Sequence, residues 1–317
     1  MKSENLVVVG GGPGGYTAAF LAADMGMDVT LVDTQPKPGG VCLHRGCIPS
    51  KALLHIAKLI DETRQARRWG VTFSDPEIDL PALRKWKNSV VSKMASGLTA
   101  LCKKRNVKLV TGHAIFSDSH TISVDGKNPL RFDHAILAAG SSPIVPAKLN
   151  HDSPLIMTST EALEIEDIPE RLLIVGGGYI GLEMGTFYAA LGSRVTVVEM
   201  LDGLLPGVDR DLAQPLHTRL KSKFSNIYLN TRVASLKVGK NEVTGIFEGE
   251  AEPREQIFNR VLVSVGRRPN SAGIGLENTQ VRLDDLGFVQ ADEYQKTADP
   301  SIFAIGDIIG GAMLAHK

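Results

Sequence analysis

One kind of segment occurs twice in this chain, and it fixes most of what the chain can fold into. Leu6-Val7-Val8-Val9 is a short apolar run that ends in Gly10-Gly11-Gly12-Pro13-Gly14-Gly15. Residues 16–25 then have helical character, with Ala18, Ala19 and Ala22 small enough to lie close against a sheet. Val29-Thr30-Leu31-Val32 is a second strand, and Asp33 stands at its end. The pattern returns as Leu172-Leu173-Ile174-Val175, Gly176-Gly177-Gly178-Tyr179-Ile180-Gly181, a helical stretch at 182–191, Val195-Thr196-Val197-Val198 and Glu199. Gly10, Gly12, Gly15 and Asp33 map onto Gly176, Gly178, Gly181 and Glu199 at one offset of 166 residues.

Each glycine has a separate physical job in such a unit. The first makes the tight turn, the second lets backbone approach a pyrophosphate, and the third lets helix and strand pack closely. The helix N-terminus adds unsatisfied N–H groups and a partial positive charge. The acid at the end of the second strand is placed to accept hydrogen bonds from a ribose. One G-x-G-x-x-G is weak, because glycine turns open many helices for packing reasons alone. Two copies, each with strand, helix, strand and acid in order, predict two dinucleotide sites. A carboxylate at Glu199 suits a free 2′-hydroxyl and repels a 2′-phosphate, so NAD is expected there rather than NADP. The predicted fold class is α/β: two Rossmann-like nucleotide-binding domains, the second inserted into the first.

Between the two units lies Gly39-Gly40-Val41-Cys42-Leu43-His44-Arg45-Gly46-Cys47-Ile48-Pro49-Ser50-Lys51. Three cysteines among 317 residues are no disulfide framework. A close pair in a reducing compartment is more often catalytic or metal-binding than a staple. The spacing is not the common C-x2-C of zinc sites, and no second pair completes four ligands, so no metal is expected. Cys102 falls in a helical pattern beside Leu98 and Leu101 and reads as a packed thiol. The formal net charge is zero, which removes the electrostatic case for nucleic acid or an anionic membrane. The basic run at 64–68 reads as a solvated helix face. No apolar run reaches the ~20 residues of a membrane span, and no secretory pattern precedes 6–9. A cytoplasmic protein is the expectation.

The remaining segments read more simply. Residues 52–68 continue as a helix from the cysteine stretch. Residues 81–104 form a second helical pattern, with Trp86, Val90, Met94, Leu98 and Leu101 on one stripe expected to pack in the core. Residues 121–124 and 131–137 bracket Asp125-Gly126-Lys127 and predict a hairpin. His113 reads as a turn or surface histidine. Residues 135–143 and 257–270 are apolar strands running into glycine turns, both read as crossovers between domains. The expected domains are 1–145 with 270–317, and 146–269. Residues 301–305 form a last buried strand ending at Gly306-Asp307, a ligand-facing position in an open α/β sheet.

Together these motifs resemble the flavin-dependent pyridine nucleotide–disulfide oxidoreductases, and within them the dihydrolipoamide dehydrogenase branch. The most specific pieces are the cysteine stretch, residues 176–183, Val265-Gly266-Arg267-Arg268-Pro269-Asn270, and Ala304-Ile305-Gly306-Asp307. The resemblance implies FAD at the first site and NAD at the second. It implies that Cys42 and Cys47 form a redox-active disulfide, Cys42 meeting the dithiol and Cys47 facing the flavin. Around FAD it implies Gly10, Gly12, Gly15, Asp33, Lys51, Gly112, Ala139, Gly140, Ser141, Asp307, Met313, Leu314, Ala315 and His316. Around NAD it implies Gly176, Gly178, Gly181, Glu183, Glu199, Val233 and Gly266. Lys51 and Glu183 would pair near the reactive edge of the flavin. The implied partner is the dihydrolipoyl group of a 2-oxoacid dehydrogenase or glycine-cleavage carrier protein.

Three departures from the family pattern are small: Asp33 for Glu, Ala139 for Thr and Val41 for Thr. The large one is at the end. The family continues beyond the position of Lys317 with a domain that forms a homodimer interface and supplies a His–Glu acid–base pair, and neither His44 nor His316 matches that position. The expectation is a chain that exchanges electrons between cysteines and flavin but turns over dithiol poorly. Two alternatives stand beside it: an NAD-linked mercuric or thiol reductase or transhydrogenase-type flavoenzyme, and a non-catalytic FAD-binding fragment.

Overall fold

A computed structural model of the chain describes residues 4–316. The first three residues and Lys317, counted above in the first domain, lie outside the described residues. In chain order the elements begin with β1 (Asn5–Val9), α1 (Pro13–Asp24), β2 (Asp28–Asp33), α2 (Gly40–Arg45), α3 (Cys47–Ala66) and α4 (Leu80–Lys104). Then come β3 (Lys108–Thr111), β4 (Ala114–Asp118), β5 (Thr121–Val124), β6 (Lys127–Arg131), β7 (His134–Leu137) and β8 (Ser141–Pro143). Next are β9 (Ile156–Met157), α5 (Ser159–Ala162), β10 (Arg171–Val175), α6 (Tyr179–Ala190), β11 (Arg194–Val198), α7 (Arg210–Lys221) and β12 (Asn226–Tyr228). The last are β13 (Arg232–Val238), β14 (Val243–Glu248), β15 (Glu255–Phe258), β16 (Arg260–Val263), β17 (Arg267–Pro269) and β18 (Ile302–Ala304).

The chain divides into two compact units. One holds residues up to Cys47, Val91–Ser142 and those from Arg267 onward; the other holds Ile48–Val90 and Pro143–Gly266. Each contains a five-stranded parallel sheet, in the order β18-β7-β1-β2-β3 in the first and β9-β16-β10-β11-β12 in the second. Each also carries a three-stranded antiparallel meander, β4-β5-β6 and β13-β14-β15, inserted in chain order between strands of its parallel sheet.

Parallel strands covered on both faces must be apolar at successive positions rather than at alternate ones. Here alternate residues divide between two cores. In the first unit Leu6 and Val8 pack with Ala19 and Ala22 of α1, while Val7 and Val9 pack with Phe116 and Ile122 of the meander. In the second unit Leu172 and Ile174 pack with Leu182 and Phe187 of α6, while Leu173 and Val175 pack with Leu236 and Phe247. Each fully buried Leu, Ile or Phe side chain contributes roughly 1.5–3 kcal/mol. The repeat extends to single hydrogen bonds. Gly10 N donates to Val32 O as Gly176 N does to Val198 O, at 2.8 and 2.9 Å. Tyr16 N and Leu182 N close the first helical turns onto Gly12 O and Gly178 O.

Several local expectations change. Both first-turn helices start three residues earlier than their apolar pattern, at Pro13 and Tyr179, because Gly12 and Gly178 are the N-caps. The helix α2 was not anticipated, and α3 starts at Cys47 itself. The hairpin partner of β5 is β6, while β7 leaves it for the parallel sheet beside β1. The stripe on α4 faces outward, with Trp86, Met94 and Leu101 about two-fifths exposed. The buried face carries Lys87, Ala95 and Cys102 instead. The Lys87 ammonium is satisfied there by Leu163 O at 2.6 Å, and burial lowers its pKa despite the neighbouring Glu164.

Asp299 fastens the first unit near its last strand. Its buried carboxylate accepts from Ser119 Oγ, Ser301 Oγ, Ser301 N and Gln280 N. Burial alone raises its pKa, but these donors outweigh burial and hold it below the ordinary carboxylate value. A depressed folded pKa gives stability that is present above the unfolded value of ~4 and is lost as pH falls through the folded value. Asp299→Asn should therefore cost about 2 kcal/mol in chemical denaturation at pH 7. The gap to the unaltered chain should narrow as the pH drops below ~4. A gap independent of pH would contradict this assignment.

Candidate functional site

The first glycine turn joins β1 to α1 and is closed by contacts only glycine allows. A Cβ on Gly10, whose φ is +107°, would stand 2.2 Å from Ala138 O, and one on Gly15 would stand 1.8 Å from Gly10 O. Gly12 caps α1 in an extended conformation with no side-chain cap, and Pro13 stands in the first helical turn. The leading N–H groups of α1 are thus left for an anion. Asp33, at the end of β2, accepts from Gly11 N at 2.5 Å and from Gln35 N at 2.7 Å. A carboxylate has capacity for further donors, such as ribose hydroxyls. At the ends of β2 and β3, Asp33, Gln35, Pro36, Leu109, Val110 and Thr111 line a small pocket.

The cysteine stretch is pressed onto this turn. Gly39 N donates to Gly11 O at 2.7 Å, and a Cβ on Gly40 would stand 2.5 Å from Gly12 Cα. From there α2 carries Cys42, Gly46 breaks the helix, and Cys47 opens α3; both cysteines are half-buried. Gly46 also admits close packing, since a Cβ would lie 3.0 Å from Val41 O. Burial, and to a smaller degree the charge of Cys42, raise the phenol pKa of Tyr16.

In the second unit the same geometry recurs. Glu199, almost fully buried, accepts from Gly177 N at 2.7 Å and from Leu201 N at 2.9 Å. Gly178 caps α6 without a side-chain cap, and a Cβ there would meet nothing within 4 Å. Gly181 by contrast is crowded by Ser264 Oγ and Gly176 O. Glu183 projects from α6 to α3, where Lys51 Nζ and Ser50 Oγ each donate to one of its oxygens at 2.6 Å. Ser50 is buried and was not anticipated; its hydroxyl fixes the rotamer of Glu183 through the oxygen that Lys51 leaves free. Val233 lies in β13 beside a bulge and opposite Phe247. Gly266 has φ +148° and accepts at its carbonyl from Ile144 N.

The remaining expected residues gather at the end of the first sheet. Gly112, at φ +150°, donates its N–H to Asp33 O, and a Cβ there would strike Val124 and Asp125. Ala139 and Gly140 lie in the turn after β7, and Ser141 opens β8. Asn270 holds that turn by donating Nδ2 to Ala139 O and its N–H to Gly140 O. Ser141 Oγ donates to Asp307 Oδ2 at 2.5 Å. Met313 to His316 come after Asp307 as a largely exposed segment. Two open helix N-termini, each with an acid held by the turn, fit two dinucleotides. Among the described residues no cluster of His, Cys, Asp or Glu forms a metal site, and no helix is long and apolar enough to cross a membrane.

Comparison with known proteins gives a consistent picture. The family model described as "Pyridine nucleotide-disulphide oxidoreductase" matches residues 4–317. A dihydrolipoyl dehydrogenase of Vibrio cholerae is 43% identical over 98% of this chain and 66% of its own length. One of Haemophilus influenzae is 45% identical over 98% of this chain and 66% of its own length. The chain thus spans a little under two thirds of the length of these curated relatives. Among solved structures, LpdA from Mycobacterium tuberculosis superposes with a TM-score of 0.89 at 28% identity, covering 99% of this chain and 69% of that one. The HOCl-induced flavoprotein disulfide reductase RclA from Escherichia coli gives 0.85 at 28% identity, covering 98% and 68%.

The glycines predict two different kinds of variant. Gly181→Ala forces a Cβ against backbone and should lower thermal stability by roughly 3 kcal/mol or more. Gly178→Ala meets open space, so it should fold with a loss under about 1 kcal/mol. It should nevertheless weaken NADH binding, measured by calorimetry, because the methyl occupies the space of a phosphate. Unchanged NADH affinity in Gly178→Ala would contradict the site.

Proposed function

This chain belongs to the pyridine nucleotide-disulphide oxidoreductase family, and we propose on that premise that it moves electron pairs between a dithiol and NAD through Cys42, Cys47 and FAD, as a dihydrolipoyl dehydrogenase-type flavoprotein. The observation that carries the reading is the backbone contact of Gly39-Gly40 with Gly11-Gly12, which ties the cysteine helices to the first dinucleotide turn. FAD would be held by Gly10, Gly12, Gly15, Asp33, Lys51, Gly112, Ala139, Gly140, Ser141, Asp307 and residues 313–316. NAD would be held by Gly176, Gly178, Gly181, Glu183, Glu199, Val233 and Gly266. The flavin, when bound, supplies the hydride chemistry.

The protein's own part is thiol exchange. A substrate thiolate attacks Cys42 Sγ of the Cys42–Cys47 disulfide; the new S–S bond forms as the old one breaks, and Cys47 leaves as a thiolate. The second substrate thiolate attacks the mixed disulfide, closes the substrate disulfide and releases Cys42. The pair of electrons now resides on the two cysteine sulfurs. A leaving thiolate is favoured at a helix N-terminus, and Cys47 is the first residue of α3. Ser50 and Lys51 fix Glu183 at the nicotinamide side. The substrate is the dihydrolipoyl group on a carrier protein of a 2-oxoacid dehydrogenase or glycine-cleavage system, in the cytoplasm.

Cys42→Ser should abolish the anaerobic reduction of bound FAD by dihydrolipoamide, followed by flavin absorbance, while FAD content is unchanged. Reduction of the flavin by dithiol in Cys42→Ser as fast as in the unaltered chain would sink the reading. Glu199→Ala should narrow the preference for NADH over NADPH by roughly tenfold, since it removes both a ribose acceptor and a charge that repels the 2′-phosphate. An unchanged ratio would reject Glu199 as the selector.

A further inference from the structure

Arg267 stands in the strand that returns the chain to the first unit, and its side chain is only 10% exposed. Its Nε donates to Ser141 Oγ at 2.7 Å, and its Nη2 donates to Ser141 O at 2.6 Å. The same Ser141 hydroxyl donates to Asp307 Oδ2 at 2.5 Å. Ser141 is 1% exposed, so its hydroxyl has been withdrawn from water and is committed to these two partners. The guanidinium also lies 3.8 Å from Asp307 Oδ2. Both contacts to Asp307 use the one oxygen, Oδ2.

We propose that Arg267 is a positioning residue for FAD: it acts through Ser141 to hold Asp307 with Oδ1 turned toward the cofactor's hydroxyl-bearing chain. The inference rests on the reading of the first site as an FAD site. The physical case is directional. A hydroxyl has one proton; Arg267 fills a lone pair of Ser141 and so leaves that proton for Asp307. Hydrogen bonds in such a chain polarise one another, and the guanidinium charge strengthens the whole in a region of low dielectric. Nη2 fixes the peptide of Ser141, so hydroxyl and backbone move together. Lysine cannot reproduce this, because the two donors of a guanidinium edge are coplanar and a fixed distance apart. A purely structural arginine would need only the bond to the carbonyl.

The test is a double-mutant cycle on FAD affinity in the full 317-residue chain. Apoprotein is prepared, and FAD binding is measured by quenching of flavin fluorescence. Arg267→Ala and Asp307→Ala should each weaken FAD binding by roughly tenfold or more. The double variant should be no weaker than Asp307→Ala alone, because Arg267 has nothing left to position. Arg267→Lys, which keeps the charge and is the gentler change, should retain only part of the affinity and serves if Arg267→Ala does not fold. In the lysine version of the cycle the loss should again vanish when Asp307 is absent. Losses that add across the cycle, or a lowered apoprotein melting temperature with unchanged FAD affinity, would overturn the inference. Failure of the unaltered chain to take up FAD would overturn both this inference and the functional reading beneath it.

Discussion

Gly40 lacks a side chain because Gly12 leaves no room for one. A Cβ there would stand 2.5 Å from the Gly12 Cα, and Gly39 N–H is spent on Gly11 O. This contact between two stretches of bare backbone is the constraint on which the chemistry depends. It anchors the helix bearing Cys42 to the turn that opens α1, and α3 then begins at Cys47. Any side chain at Gly40 would separate the cysteine helices from the first dinucleotide turn. The cost of such backbone freedom in the unfolded chain is roughly 0.5–1 kcal/mol per glycine. It is offset by the hydrogen bonds and packing that the approach permits.

The duplicated units share their hydrogen bonds but have diverged around the acid. Asp33 is half-buried and opens onto a pocket between strand ends, while Glu199 is nearly enclosed, with Leu204 packed over Gly177. The first unit carries α2 with Cys42, and Cys47 at its boundary, after its acid. The second unit has, after its acid, the turn held by Arg210, whose guanidinium donates to Leu204 O and Leu205 O. One plan thus accommodates two jobs, and the difference lies in the segment after the second strand.

The sequence was most legible where spacing is dictated by covalent geometry. Both glycine turns, both acids and the strand residues at one offset could be read directly, and so could the buried parallel strands with their unbroken apolar runs. It was least legible where tertiary contacts override local pattern. The large residues of α4 suggested a core stripe, yet the helix buries its small residues and Lys87, because close packing and one available carbonyl at Leu163 decide the facing side. Ser50 and Arg267 carry no periodic signal. Their partners stand 133 and 126 positions away in sequence, in contacts only folding reveals.

In the proposed mechanism Cys42 and Cys47 are joined in the oxidised protein and opened by electrons that arrive through the two nucleotide sites. Counting thiols tests it most directly. The chain has three cysteines, of which Cys102 is buried in the core with Leu6, Val8 and Val107. Denatured FAD-loaded protein should show one reactive thiol before anaerobic NADH and all three after it. Three thiols before NADH, or one both before and after, would contradict the account.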